Sequence, residues 1–337
     1  MAGWLTNLDK KNRLVDIDKA KGFAIFLVVL GHIVAADTPV GNEWYAVLKF
    51  YIYKFHMPFF MFISGVIMAY TFPGIKNSKD YFKYIFRKLK RLAPGYVLFG
   101  ALIYVGKVAS SKVMHVDGLP GGVYSELYNL LLVPSQSAGG SLWFIYVLME
   151  MYIVFPLFIV FFIKRPVIIL LAGLIAEFIP VSNVFMLDRF CEYFLFFAIG
   201  VVVVQRYQEY LSVIDKYRYY LVVLFILSFS AVVFFSPLVS KIIISFFSLP
   251  ALQAVMRFRV MEIVSIWDVL GKYTYSIYLM NTILIGLAKG IVLMFTSWDG
   301  VNFLVIAPIL LLAGVCGPVF VKKYIFRYVP LLNSVTN

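Results

Sequence analysis

The feature that most constrains this chain is a series of apolar stretches, each roughly fifteen to twenty-five residues long, recurring from end to end. Coiled as a helix, each is long enough to cross a hydrocarbon core of roughly 30 Å. A soluble core of this size has no room for so many. Of the 337 residues 62% are hydrophobic and only 14% charged, with a mean hydropathy of +0.90, whereas soluble domains carry roughly 25% charged residues. The 18% aromatic content fits the same solvent, because Tyr and Trp collect at headgroup level and Phe is at home in lipid.

The fold class expected is therefore an all-α polytopic membrane protein of about ten transmembrane helices. The spans fall at about 20-36, 55-72, 92-109, 142-163, 167-185, 190-205, 219-236, 239-256, 273-296 and 301-321. Basic residues near span ends are retained in the cytoplasm. Roughly 23 of the 30 Lys and Arg lie in alternate connections, namely 10–21, 76–91, 164–165, 206–218, 257–272 and 322–327. Both termini are thus expected to be cytoplasmic. The net charge of +13 is a topology signal; spread over short loops beside anionic headgroups, it excludes a nucleic-acid surface. Val34-Ala35-Ala36 resembles a secretory cleavage site, but its leader is too long and too acidic and is broken by Gly31-His32. Cys191 and Cys316 sit inside apolar spans and read as buried small hydrophobes.

Residues 1-337 read as one membrane domain. Within it, residues 76-91 alternate aromatics with cations at helical spacing and read as a cytoplasmic basic amphipathic segment. Residues 110-141, rich in Gly, Pro and Ser and containing His115, read as an extracytoplasmic loop, either an acceptor-binding lid or a plain connection.

Ionisable groups inside spans are costly and usually face a cavity or a partner. Lys21 lies at the cytoplasmic mouth of the first span and His32 eleven residues further on, which returns the chain to nearly the same face about 16 Å away. Asp18, one turn before Lys21, shares that face and suits an ion pair. A surface cation can hold a phosphate, while a deeper imidazole, whose ordinary pKa lies near working pH, can take a proton from a hydroxyl. The plainer use of these residues has His32 bonding a neighbouring helix and Lys21 snorkelling to headgroups, and spacing does not separate the two. His56, before Pro58, is either an acceptor contact or a structural bond. Ser64-Gly65 suits close helix packing. Trp143 is a sugar-stacking or belt residue. Glu150, mid-span, is expected to orient His32 or to pair with a lysine. Glu177 and Glu192, nearer span ends, are expected to be hydrated.

These residues carry a resemblance. Asp18-Lys19-Ala20-Lys21-Gly22-Phe23-Ala24-Ile25, followed by Val28-Val29-Leu30-Gly31-His32, resembles the opening helix of the acyltransferase-3 family of membrane-bound O-acyltransferases, whose signature is a basic residue, ten intervening residues and a histidine. Phe55-His56-Met57-Pro58 to Ser64-Gly65 resembles the second motif in its sugar O-acetylase branch. Arg87-Lys88-Leu89-Lys90-Arg91-Leu92-Ala93-Pro94 resembles the family's Arg-x-x-Arg motif, with Lys88 in the first position; lysine keeps the charge but loses the bidentate fork. Further matches lie at Ser141 to Phe144, Tyr193 to Gly200 and Leu270 to Leu279, so the resemblance covers nearly the full length. Many members place a histidine after that last Tyr-Leu pair, where this chain has Met280-Asn281, and Asn281 cannot titrate near neutral pH. The extracytoplasmic hydrolase-like domain of some members is not seen, so a stand-alone form is expected.

The resemblance implies transfer of an acyl group, usually acetyl from acetyl-CoA, to a hydroxyl of a cell-surface glycan or lipid-linked sugar precursor in a bacterial cytoplasmic membrane. On that expectation Lys21, Lys88, Arg91 and Arg87 hold the coenzyme phosphates, and His32 is the general base, with a covalent acyl-histidine as the second mechanism. Asp18, His56, Trp143, Glu150 and Asn281 are supporting or acceptor-side residues. No metal is expected. The rival class is a transporter or glycan exporter in which His32, Glu150 and Lys289 form a pathway without covalent chemistry; a scaffold that has lost activity is the third.

Overall fold

In a computed structural model the protein is described over residues 14–34, 38–112 and 121–336. Lys10, Lys11, Arg13, the small-residue stretch at 35–36 and His115 lie outside the described residues. Those residues are helix joined by turns, with no strand among them. The α-helices are α1 Val15–His32, α2 Glu43–Tyr70, α3 Ser78–Ser110, α4 Val123–Leu132, α5 Trp143–Phe162, α6 Pro166–Ala176, α7 Leu187–Val203, α8 Tyr207–Ser228, α9 Ala231–Phe234, α10 Pro237–Met256, α11 Arg259–Ile263, α12 Ile266–Val292, α13 Asn302–Phe320 and α14 Pro330–Val335.

Each of the ten expected spans overlaps one of these helices, while seven helical runs among the described residues are long and apolar enough to cross a membrane. The difference has three sources. Helices α7 to α9 follow one another through short turns as a single run, Val184–Phe234. Helix α6 has only 11 residues, and α1 carries Asp16, Asp18, Lys19 and Lys21 in its first half. Much of the apolar surface is not covered by the chain itself: Tyr219, Tyr220, Val223, Leu224, Ile226 and Leu227 of α8 are all exposed. A contiguous exposed apolar face of this kind suits lipid as the solvent.

The interior is organised by two helix pairs, α1 with α12 and α2 with α7, which form the most extensive interfaces. Glycines set both. A methyl group on Gly22 would overlap the Trp267 carbonyl, and one on Gly271 would overlap the Asp18 carbonyl on the facing helix. The same reciprocity joins Gly65 to the Phe197 carbonyl and Gly200 to that of Phe62, so Ser64-Gly65 serves close packing, as its composition suggests. Backbone-to-backbone approach replaces the hydrophobic driving force that lipid does not supply. Prolines lie inside α2, α3, α5, α10 and α13 (Pro58, Pro94, Pro156, Pro250, Pro308 and Pro318); the Lys54 carbonyl freed by Pro58 accepts from the Ser245 hydroxyl at 2.7 Å.

From Ser78 onward the basic segment is continuous with the rest of α3 through Pro94, begun by the Asn77 side chain, which accepts from the Asp80 amide at 2.9 Å. The long connection after α3 contains α4, which is pinned beneath the bundle's end. The buried Glu126 carboxylate accepts from the Ser137 hydroxyl (2.5 Å) and the Ala138 amide (3.0 Å), and Tyr96 donates to the Leu130 carbonyl at 2.7 Å. Helix α14 folds back on α3 and α12, held by buried Lys322, whose ammonium donates to Asn333 and Thr336. Contrary to expectation the cysteines are not buried: Cys191 is half-buried and Cys316 exposed on α13, where the outward side of an apolar helix tolerates any small apolar group.

Replacing Gly271 by Ala forces α1 and α12 apart. Overpacking at such a contact costs about 1–3 kcal/mol, so Gly271→Ala is expected to lower the thermal midpoint of the purified protein in detergent by several degrees. Gly286→Ala, on the same helix where an added methyl meets open space, is expected to leave the midpoint unchanged or to raise it through better helix propensity. Equal midpoints for both variants would remove the glycine crossing as a determinant of the fold.

Candidate active site

Helix α1 ends at His32, and the position of that ring is fixed by three helices. The last carbonyls of any helix lack intrahelical donors. Here α2 supplies them: Tyr45 donates to the Leu30 carbonyl, Tyr53 to that of Gly31 at 3.0 Å, and the Lys49 ammonium to that of Val34 at 2.6 Å. The cation also complements the negative end of the α1 dipole. Gly31 is required beside His32 because the Tyr53 ring lies against it, where a methyl group would overlap. Tyr45, Lys49 and Tyr53 were missed in the sequence, although their four-residue spacing marks one face of a helix.

The third helix is α12. His32 Nδ1 lies 2.8 Å from Asn281 Oδ1. The Asn281 amide nitrogen donates to the carbonyls of Ile277 (2.9 Å) and Tyr278 (2.8 Å), so its oxygen is the atom turned to the ring. An acceptor there makes Nδ1 the protonated nitrogen of a neutral imidazole and leaves Nε2 with a lone pair, the tautomer a base needs. The residue at which the chain departs from the family's histidine is thus the partner of His32. Tyr278 donates to the Ser141 carbonyl at 2.7 Å and receives the Phe144 amide at 3.3 Å, which seats Ser141 3.4 Å from the Thr282 hydroxyl, one residue beyond Asn281.

Other expected residues are engaged elsewhere. His56 is buried, bonds the Ile52 carbonyl in its own helix at 2.8 Å and lies against the Tyr53 ring. Trp143 stacks on Tyr193 at 5.3 Å and is approached by the Arg189 guanidinium at 5.8 Å, inside the bundle. Glu150 departs from expectation: its Oε2 is buried without a hydrogen-bond partner, no ion pair reaches it among the described residues, and His32 takes Asn281 instead. Glu177 departs too, being buried with neither carboxylate oxygen hydrogen-bonded within the described protein, and Glu192 is paired with Arg189 and Lys241. Lys289 lies over Trp298 at 4.1 Å.

At the other end of α1, Lys21 pairs with Asp18 at 2.6 Å, as the one-turn spacing requires. Lys88 lies over the rings of Tyr84 (5.4 Å) and Tyr152 (4.7 Å), with Arg87 also beside Tyr84 and Arg91 exposed on the next turn. Deeper in, Asp16 accepts from the Tyr207 hydroxyl (3.0 Å) and the Gln253 amide (2.8 Å), with Arg257 at 3.9 Å bridging to Asp215. This network ties α1 to α8 and α10; a glutamine in an apolar span was its one signal.

The acyltransferase domain family matches residues 14–323. The nodulation protein NolL of Sinorhizobium fredii is 25% identical over 210 residues, covering 61% of this chain and 53% of that protein, so the match spans about half the length of this curated relative. No solved structure matches.

The His32–Asn281 bond is expected to hold a single tautomer. Nitrogen NMR of histidine-labelled protein, with His32 assigned by difference from a His32→Gln variant, should show Nδ1 protonated. Asn281→Leu removes about 1 kcal/mol of preference, roughly a fivefold change in tautomer ratio. An unchanged spectrum in Asn281→Leu would show that Asn281 does not set the proton.

Proposed function

The chain belongs to the acyltransferase-3 family, and from that premise we propose that it is a membrane-embedded O-acyltransferase, moving an acetyl or other short acyl group from acyl-CoA to a hydroxyl of a cell-surface glycan or lipid-linked sugar precursor. The observation that supports this best is the His32 ring, held by Asn281 with its Nε2 lone pair unspent. In the proposed reaction that nitrogen takes the proton of the acceptor hydroxyl as its oxygen attacks the thioester carbonyl. The tetrahedral intermediate collapses with cleavage of the carbon–sulfur bond. The departing thiolate recovers the proton from the imidazolium, giving an ester and free coenzyme A. Asn281 acts as a positioning residue, because it also stabilises the imidazolium formed in passing.

The donor is polyanionic, and its phosphates are assigned to the cations of Lys21, Lys88, Arg91 and Arg87 through charge-assisted hydrogen bonds. Asp18 orients Lys21, and the rings of Tyr84 and Tyr152 orient Lys88. In this reading ten helices cross a bacterial cytoplasmic membrane with both termini in the cytoplasm, so donor and acceptor reach the centre from opposite sides. The connection that contains α4 is assigned to the acceptor side. The export reading is less well supported, since the His32 ring is engaged by Asn281 and Lys289 lies over Trp298.

The test is transfer of radiolabel from acetyl-CoA to glycan in membranes holding wild-type protein or His32→Ala at matched abundance. Loss of a general base lowers the rate about 10²–10⁴-fold, and undiminished transfer by the variant would overturn the assignment. In the same membranes Lys88→Gln is expected to raise the KM for acetyl-CoA about tenfold with a smaller change in kcat, the pattern of a lost binding contact. A fall in kcat alone would remove Lys88 from the donor site.

A further inference from the structure

Beside the His32 end of α1, and separate from the His32–Asn281 centre, helices α2, α6, α7 and α10 enclose an open recess of about 470 Å³, within the size range of small-molecule sites. Its level is set by Lys54, whose neighbour Tyr53 bonds the Gly31 carbonyl. Charged side chains from all four elements line it: Lys54, Glu177, Asp188, Glu192 and Lys241. Part of this charge is already matched. Glu192 is held by Lys241 and by Arg189 at 2.6 Å, and Lys241 also lies over the Tyr193 ring at 4.9 Å.

Glu177 is not matched. It is 8% exposed, it lines the recess, and neither of its oxygens has a hydrogen-bond partner. Asp188 Oδ1 is likewise buried and unpartnered, although its Oδ2 lies 3.8 Å from the Arg189 guanidinium. A buried acceptor left in this condition is costly, so the unpartnered oxygens, three in sum, call for a ligand that brings several donors. Lys54, whose contact to the Pro237 carbonyl is a long 3.5 Å, leaves donor capacity on the opposite wall. A simple cation would meet two ammonium groups here, and a simple anion three carboxylates. A neutral molecule carrying many hydroxyl donors and ether acceptors meets neither difficulty, and the side chains of Pro237 and Leu238 give its C–H face an apolar wall.

We propose that this recess binds a saccharide unit of the acceptor, its hydroxyls donating to Glu177 and Asp188 and its oxygens accepting from Lys54. The proposal rests on the acceptor's being a glycan, as in the reading above. The recess also joins the centre physically: Lys241 packs on Tyr193, Tyr193 stacks on Trp143, and Phe144 beside it contacts Tyr278, three residues before Asn281. Trp143 acts in this chain of rings as the wall between subsite and centre.

Binding is read without transfer, by applying the purified full-length protein in detergent to an array of defined bacterial and eukaryotic surface saccharides. Wild type is expected to bind a subset. Glu177→Gln should weaken that binding about tenfold or more, and Leu238→Trp, which fills the recess without touching a carboxylate, should weaken it as much. Both variants should keep the wild-type elution volume and affinity for acetyl-CoA, which separates loss of the subsite from loss of the fold. Saccharide binding unchanged in both variants overturns the proposal, as does absence of binding to any saccharide by a protein that still binds acetyl-CoA. Retention of phosphatidylethanolamine that depends on Glu177, read by native mass spectrometry with no saccharide effect, would reassign the recess to a lipid headgroup. Transfer that survives His32→Ala while array binding still depends on Glu177 would fail the catalytic reading and leave the subsite standing.

Discussion

The close approach of α1 to α12 is the constraint on which the rest of the structure depends. Lipid offers no hydrophobic gain for bringing two helices together, so association rests on packing and on hydrogen bonds that only short distances allow. Gly22 and Gly271 provide that distance, each lying against a backbone carbonyl of the other helix. His32 and Asn281 lie ten residues further along their respective helices and are brought into register by the crossing. A bulkier residue at either glycine would separate them even though neither touches the imidazole. The paired crossing of Gly65 with Gly200 does the same for α2 and α7, and α2 in turn carries the three side chains that finish α1.

Those three side chains show how a helix end can be made rigid at membrane depth. Unsatisfied carbonyls there have no water to turn to, and a frayed last turn would let the His32 ring wander. Tyr45, Lys49 and Tyr53 replace water with donors from a neighbouring helix. Preorganisation of this kind is what a base requires, because proton transfer depends on a few tenths of an ångström. The proposed base and one of the cations proposed for the donor, Lys21, therefore belong to one helix but are secured independently, His32 by α2 and α12, Lys21 by its own Asp18.

What could be read from the sequence divides along the same physical line. Periodic and local signals survived in part: every expected span overlaps a helix, though seven helical runs among the described residues are long and apolar enough to cross a membrane, Asp18 pairs with Lys21 one turn away, and Ser64-Gly65 marks a packing contact. Long-range pairings did not. Asn281 lies 249 residues from His32, and nothing in its neighbourhood distinguishes a partner for imidazole from any polar residue in a span. Glu177 failed for a related reason. Proximity to a helix end predicts hydration only if that end faces water, and here α7 and α10 close over it. Glu150 invited a partner by its burial cost, yet its buried Oε2 has none among the described residues.

The two ends of the molecule differ in a way that bears on how a two-sided reaction is kept in order. At the Lys21 end a cation is set against tyrosine rings, Lys88 lying between Tyr84 and Tyr152. At the His32 end the unmatched groups are carboxylate oxygens of Glu177 and Asp188. A coenzyme rich in phosphate is attracted to the first and repelled by the second, whereas a polyhydroxy acceptor has its donors matched only at the second. Complementarity of this sort acts more on which partner is admitted than on total affinity. Under the proposed reading, polarity along the bundle sorts the substrates before chemistry begins. Under the same reading the neutral tautomer of His32, held by a group that cannot itself titrate, takes its proton from the acceptor hydroxyl.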